Sequence, residues 1–580
     1  MTRTQAASSW ILSFSITLLV LSSMAFAAGQ QKATIILMNA RIYTVNLHQP
    51  WAEALAVSED RIIAVGTKQQ IDEYRGPNTQ VIDAHGQLVL PGFTDCHIHF
   101  MQGSLGLQHV DLNGTESVAE IQERVRTYAA AHPKELWILG MGWQYPIFGP
   151  SALPHKRLLD EIEPNRPILL DAYDGHTTWA NSKALALAGI TKDTPNPPNG
   201  TIVKDENGEP TGALKESAGD LVGKLTPKPT REERMVALRA GLREANRVGL
   251  TRVHSAGGDF EYLDLYDELR KQGQLTVRQY IAYFLEPPEL TKDALGKIEE
   301  ARRIYHDDWI EGGLVKTMLD GVVESHTAAM LEPYSDDPTQ SGKLFWDPTK
   351  YKEAVAELDK RGIQVMTHSI GTSAVRLALD AYEGAAQANH SRDLRHKIEH
   401  IETITATDIP RFGTLGVVAS FQPLHAYPDD DTLKVWAVNA GPDRASRAWA
   451  WQSVARSGGR LAFGSDWPVV TLNPWHGIQN AVTRQKRDGT PAGGWVPNER
   501  VTLEQAIEGY TLGAAFAGHR EASEGSLEKG KLADLLVLDR DLFKIAPSDI
   551  HRTNVLLTMV GGKIVHQAAE MAATTTGNSK

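Results

Sequence analysis

Leu90-Pro91-Gly92-Phe93-Thr94-Asp95-Cys96-His97-Ile98-His99 reads as one strand that enters a core and ends in two histidines. Strand side chains alternate between faces, so His97 and His99 point the same way while Cys96 and Ile98 point away from them. Two imidazoles one pleat apart can share a metal ion. His-x-His alone is equally well a pair of surface histidines, so the remainder of the chain has to decide.

With 580 residues, 42% hydrophobic and 22% charged, the chain is long enough for a large core and more than one domain. A formal net charge of −12, with no basic stripe to offset it, gives no support to nucleic-acid binding. The N-terminus carries Arg3, the apolar run Trp10–Val20 and Ala25-Phe26-Ala27, the three parts of an export signal. The run is short for a membrane span. Residues 1–27 therefore read as a signal peptide, and the mature chain as periplasmic or secreted without a stable membrane anchor; an uncleaved anchor is the alternative. Cys96 is the only cysteine, so no intrachain disulfide can form, and it reads as buried packing. The Ala- and Thr-rich tail Ala568–Lys580 reads as disordered.

Residues 33–89 hold short strands, Ala33–Asn39, Arg41–Val45, Ala54–Val57 and Arg61–Val65, separated by Asn, Gly and Asp. Strands recur at the far end in Ala533–Leu538, Asn554–Val560 and Lys563–His566. Segments 33–89 and 520–567 are thus expected to build one composite β-sandwich. Residues 90–519 between them alternate apolar strands with helical patterns such as Arg231–Val248, Lys352–Arg361 and Ser373–Tyr382, the α/β signature. The strand starting at Phe93, with Pro167–Tyr173, Leu250–Ser255, Gly313–Leu319, Ile363–His368, His396–Ile401, Val417–Gln422 and Arg460–Gly464, makes eight. That number suits a (β/α)8 TIM-like barrel. Trp137–Gly140 and Arg278–Phe284 also resemble strands, so the set is open. Residues from about 103 to 230 are too many for one βα unit and are expected to form an insertion above the barrel mouth.

In such a barrel the C-terminal strand ends converge on one site. Those ends supply His97, His99, Lys316, His368, His400 and Asp466. Four histidines and an aspartate make a ligand set suited to zinc and its neighbours. Any one of them is commonly a satisfied barrel residue; five at successive strand ends are hard to attribute to chance.

Except for Lys316, these residues sit in Thr94-Asp95-Cys96-His97-Ile98-His99, Thr367-His368-Ser369-Ile370-Gly371, Ile398-Glu399-His400 and Gly464-Ser465-Asp466-Trp467-Pro468, and a further motif near the end reads Gly525-Ser526-Leu527-Glu528-Lys529-Gly530-Lys531-Leu532-Ala533-Asp534. With them the chain resembles the amidohydrolase superfamily, in particular the branch called amidohydrolase family 3 or YtcJ-like, from about Ala33 to His566. The resemblance implies a deformed TIM barrel with a sandwich from both termini. It also implies one or two divalent ions, zinc first among them, held by His97, His99, His368 and His400, with Asp466 both ligand and general base. Lys316 stands where many members hold a carboxylated lysine bridging two metals; a plain ammonium paired with Asp320 is the alternative.

The implied reaction is hydrolysis of a non-peptide C–N bond, an amide or N-acyl bond, by metal-activated water. Opening of a cyclic amide, deamination on the same site, and non-catalytic binding or regulation on the same fold stay open. His176, His254, His326 and His425 are candidates to flank the site. His176 and His425 could hold a tetrahedral oxyanion or merely cap loops. A small-molecule amide is the expected partner, with a homodimer left open. Trp143, Trp179 and Trp467 suggest an apolar or aromatic substrate or plain packing. Asp429-Asp430-Asp431 reads as a solvated loop. No G-x-S-x-G elbow surrounds Ser465, which disfavours serine hydrolysis.

Overall fold

The computed structural model describes residues 31–571 apart from 152, 391, 392 and 394, so the signal peptide expected at 1–27 lies outside the described residues. Eight strands form one sheet in sequential order: β1 (Phe93–Ile98), β2 (Leu250–Ser255), β3 (Arg278–Phe284), β4 (Ile310–Met318), β5 (Gln364–Ser369), β6 (Lys397–His400), β7 (Val418–Phe421) and β8 (Arg460–Phe463). Each pairs in parallel with the next. Parallel neighbours require a crossover, and amphipathic helices supply it. The helix Arg231–Val248 shows the local logic. Thr230 and Glu233 close a capping box at its start, and Gly249, at φ 95°, ends it in a left-handed turn that feeds β2. The ring is drawn shut by the chain just past β8, where Asp466 N–H donates to the His97 carbonyl (2.7 Å) and His99 N–H to the Trp467 carbonyl (2.8 Å).

Two strand assignments are corrected. Pro167–Tyr173 was counted into the barrel, but Ile168–Ala172 belongs to the insertion; Arg278–Phe284 takes its place as β3. Both are largely buried apolar strands, so periodicity cannot distinguish them. Nor is Leu90–His99 one strand. Leu88–Pro91 pairs with Leu535–Leu538 in the sandwich, and the barrel strand starts at Phe93. Gly92 is the joint: its N–H donates to the Asp534 carbonyl (2.9 Å), and a Cβ there would overlap the Thr251 side chain.

The terminal segments build two sheets. Four strands from the N-terminal segment form one, in the order Arg61–Gly66, Ala54–Ser58, Ile35–Met38, Gln80–Asp83. Six strands from both ends form the other: Lys563–Gln567, Val555–Val560, Leu535–Leu538, Leu88–Pro91, Arg41–Tyr43, Trp51–Ala52. Leu37, Leu55, Val57, Val89, Leu535, Val537, Leu557 and Met559 share one core. The tail expected to be disordered from Ala568 is instead packed in its first residues. Ala568 N–H donates to the Leu556 carbonyl (2.8 Å) and Met571 is buried in the sandwich core.

Between β1 and β2 stands a six-stranded mixed sheet: Gly200–Lys204, Pro210–Glu216, Thr177–Ala180, Ile168–Ala172, Ile138–Trp143, Val110–Asp111. It has its own core, in which Trp143 and Trp179 are fully buried, edge to face at 6.4 Å. Trp467 is buried against Phe100 and Gly103. All three tryptophans are packing.

Candidate metal centre

The barrel seam is also the site. Because Asp466 and His97 are tied backbone to backbone, the Asp466 carboxylate meets both histidines of β1. Its Oδ1 lies 3.3 Å from His97 Nε2 and 3.2 Å from His99 Nε2. His400 brings Nδ1 to 3.9 Å from Asp466 Oδ2. In a regular strand His400 would face opposite to Glu399, yet both reach the interior. His400 and Asp466 adopt left-handed backbone, φ 72° and 64°, which turns the two side chains inward. Such φ values are unusual outside glycine and are held where the surroundings over-determine them.

His97 and His99 each have a partner on the other nitrogen, as metal-ligating histidines commonly do. His97 Nδ1 donates to Glu399 Oε2 (2.7 Å), leaving Nε2 as the lone-pair face. His99 Nδ1 lies 3.4 Å from the Gly257 carbonyl. The Glu399 carboxylate is itself 3.7 Å from the buried Lys397 ammonium. Lys316 Nζ is 3.3 Å from His97 Nε2. The alternative partner for Lys316, Asp320, is taken by the backbone N–H groups of Ala329, Ile370 and Gly371 (2.9, 3.1 and 2.7 Å).

Burial pushes His368 and His400 well below the usual imidazole range and takes His425 down to about 4, so all three stand neutral. For Asp466 burial acts in the opposite sense, but the His97 and His99 rings beside it hold the carboxyl well below the usual range. Neutral imidazoles and an ionised carboxylate are the forms that bind metal.

The residues fit a divalent ion on their own evidence. Donor atoms of His97, His400 and Asp466, all buried, lie within 4.8 Å of one another. His400 Nδ1 and Asp466 Oδ1 have no hydrogen-bond partner, and each would be an expensive orphan in a dry site without a cation between them. His368 sits beside this group, its ring 4.5 Å from that of His400, with Nε2 directed to the Gly321 carbonyl (3.2 Å).

Two flanking histidines face the centre. His425, in the turn after β7, places Nε2 3.8 Å from Asp466 Oδ2, and its ring stacks on His400 at 5.8 Å. His176 arrives from the insertion, its ring 5.8 Å from that of His368. Burial alone would lower its pKa, but Glu216, 2.9 Å from Nδ1, pushes it up to about 10.

The other two candidates lie elsewhere. His326 pairs with Asp336 (2.9 Å) in the loop after β4. His254 lies lower in the barrel, 3.4 Å from Lys397 and 3.5 Å from Cys96 Sγ. β2 and β6 are four strands apart, so His254 and Lys397 meet only across the barrel axis. Cys96 therefore faces inward rather than away from His97, because the register of β1 slips between Asp95 and Ile98.

Sequence reasoning missed Glu399 and Lys397, although two charges at alternate positions of a fully buried strand are a readable signal. It also missed Glu216, at the end of the insertion strand Pro210–Glu216, and Glu324 and Glu402, which loops bring to the mouth. The Asp429–Asp431 run is solvated only in part: Asp430 is exposed, whereas Asp431 is only 3% exposed.

The profile of the amidohydrolase family matches residues 80–566. Protein LONG AFTER FAR-RED 3 of Arabidopsis thaliana is 33% identical over 542 residues, covering 92% of this chain and 91% of that one. N-substituted formamide deformylase of Arthrobacter pascens is 28% identical over 548 residues, covering 93% and 99%. An uncharacterized metal-dependent hydrolase from Pyrococcus furiosus superposes with a TM-score of 0.67 at 28% identity, over 88% of this chain and all (100%) of that one.

Proposed function

This chain belongs to the amidohydrolase family of metal-dependent hydrolases, and we propose from that premise that it hydrolyses a non-peptide C–N bond, an amide or N-acyl bond of a small molecule. The observation that carries the reading is the convergence of His97, His400 and the ionised Asp466 on one buried point at the barrel seam. The relative that acts on N-substituted formamides supports the bond type.

His97, His99, His400 and Asp466 would hold the ion, zinc in this reading, with His368 and Lys316 available to a second one. When bound, a divalent ion makes a nucleophile available at neutral pH by lowering the pKa of water, and polarises a carbonyl. Asp466 would accept the attacking water's proton on its carboxylate and return it to the leaving nitrogen. His176, kept cationic by Glu216, and His425 through Nε2 would meet the negative charge that develops on the substrate oxygen. Burial pulls the Lys316 ammonium down to about 8, which leaves a neutral amine available for carboxylation. Export through residues 1–27 completes the reading, supported by Arg3, Trp10–Val20 and Ala25-Phe26-Ala27.

The test is metal analysis of the purified chain beside a panel of N-acyl amines, N-acyl amino acids and cyclic amides. At least one divalent ion per chain is expected, with activity lost on chelation and restored by zinc. A chain that retains no ion and turns over none of the panel overturns the proposal.

A further inference from the structure

The crevice between barrel mouth and insertion carries charges that hydrolysis does not use. Glu324, in the loop after β4, and Asp431, in the loop after β7, both accept from the Tyr173 hydroxyl, at 3.1 and 2.6 Å. One hydroxyl has one proton, so it serves these two carboxylates only in turn. Asp431 is 3% exposed, and its Oδ1 has no hydrogen-bond partner. Asp174, beside Tyr173, accepts from the Tyr145 hydroxyl (2.9 Å). Glu402 accepts from Trp436 Nε1 (2.6 Å) and lies 3.9 Å from His425 Nδ1.

His425 links this group to the metal centre. Its side chain is 10% exposed, and its Nε2, near Asp466, is also without a hydrogen-bond partner. Only this one imidazole separates Glu402 of the acidic group from Asp466 of the reacting centre.

The charges do not balance. Among the described residues, Asp174, Glu324, Glu402 and Asp431 are in ion pairs with no lysine or arginine. The cations nearby are His176, already held by Glu216 at 2.9 Å, Lys215, whose charge acts on Glu216 and Asp174 without an ion-pair contact, and Lys486, 3.7 Å from Asp430. Burial and mutual repulsion hold the carboxyls of Glu324 and Asp431 well above the usual range. Buried carboxylates persist when a cation pairs with them. An organic ammonium carries three N–H donors, matching the three acceptor groups of Glu324, Asp431 and Tyr173.

We propose that the amide substrate carries a cationic group, an ammonium or guanidinium, that seats between Glu324, Asp431 and the Tyr173 oxygen while its amide lies at the His97–His400–Asp466 centre. The inference rests on the amide-hydrolase reading and adds the substrate class. With a neutral chain in the same place the two carboxyls would stay protonated and the ion pairing would be forgone, so the site favours the cationic amide over an analogue lacking the charge.

The test uses the metal-loaded full chain and matched probes. N-acetyl-1,5-diaminopentane and N-hexylacetamide present the same amide and differ in ending in an ammonium or a methyl. Hexylammonium and hexanol report binding by calorimetry, without turnover. The cationic amide should be favoured in kcat/KM, and hexylammonium over hexanol in Kd, each by at least about tenfold. Glu324→Gln and Asp431→Asn should each reduce that preference by at least about fivefold. Equal binding of hexylammonium and hexanol to the unmodified chain, or a preference untouched by both substitutions, overturns the cation site. Efficient hydrolysis of N-hexylacetamide with no cationic preference sinks this inference and leaves the hydrolase reading standing. Selective hexylammonium binding with no amide turned over supports the cation site and sinks the hydrolase reading.

Discussion

Asp466 bears most of the site's geometry: its backbone closes the barrel, its left-handed φ of 64° turns the carboxylate inward, and its oxygens meet His97, His99 and His400. In Asp466→Asn the imidazoles still bind metal, while the amide cannot take up a proton. General base catalysis is worth about 10²–10⁴-fold, so kcat should fall by at least about 10²-fold with most of the metal retained. Near-unaltered turnover of a good substrate would remove Asp466 from the role of base. Lys316→Ala separates one ion from two. A carboxylated Lys316 predicts fewer ions per chain in the variant and partial recovery of activity in short carboxylic acids. Full metal content and full rate would make Lys316 a plain buried ammonium. At this scale the shared face of His97 and His99 was legible from spacing, and their reading as ligands needed the other strand ends. The inward turn of His400 was not, because φ at a strand end is decided by neighbours far away in sequence.

Among the elements, the step from β8 to Asp466 is the tightest. A Cβ on Gly464 would stand 2.6 Å from His97 N and 2.7 Å from Asp95 Oδ1. The first neighbour is backbone and cannot swing aside. Gly464→Ala should therefore lose about 1–3 kcal/mol of stability, read as a lower Tm, and weaken metal binding as well. An unchanged Tm with full metal affinity would mean that the seam yields more readily than its spacing implies. Strand existence was legible for most of the barrel, since apolar runs between helical patterns have few other readings. Membership was not. Ile168–Ala172 and Arg278–Phe284 carry the same pattern, and only the pairing of whole sheets assigns one to the insertion and the other to the barrel.

For the whole molecule, the joint between barrel and sandwich is ionic as well as apolar. Arg278, at the start of β3 with its side chain 1% exposed, gives two bonds to Asp534 (2.8 and 3.0 Å) just before a sandwich strand. Asp534 also accepts from Gly561 N–H (2.7 Å). Removing one partner of a buried pair leaves an uncompensated charge. Asp534→Ala is thus expected to lose about 3–5 kcal/mol, with the two domains still unfolding together in denaturant. A change below about 1 kcal/mol would show that water reaches Arg278 freely.

Local chemistry along the chain determined the elements, the alternation of strand and helix, the terminal β-segments and the roster of histidines that could bind metal. These follow from short-range periodicity, capping and residue type, which the sequence carries directly. Tertiary structure alone decided that Leu90–His99 divides between two domains, that Glu399 orients His97, and that Asp431 is buried beside Glu324. Each of these joins residues far apart in the chain, and long-range packing is set by the closure of the whole barrel rather than by any local pattern. The insertion makes the point most plainly. It brings His176, Glu216 and Tyr173 against residues of β5 and of the loops after β4 and β7, and no stretch of sequence contains both sides of that contact.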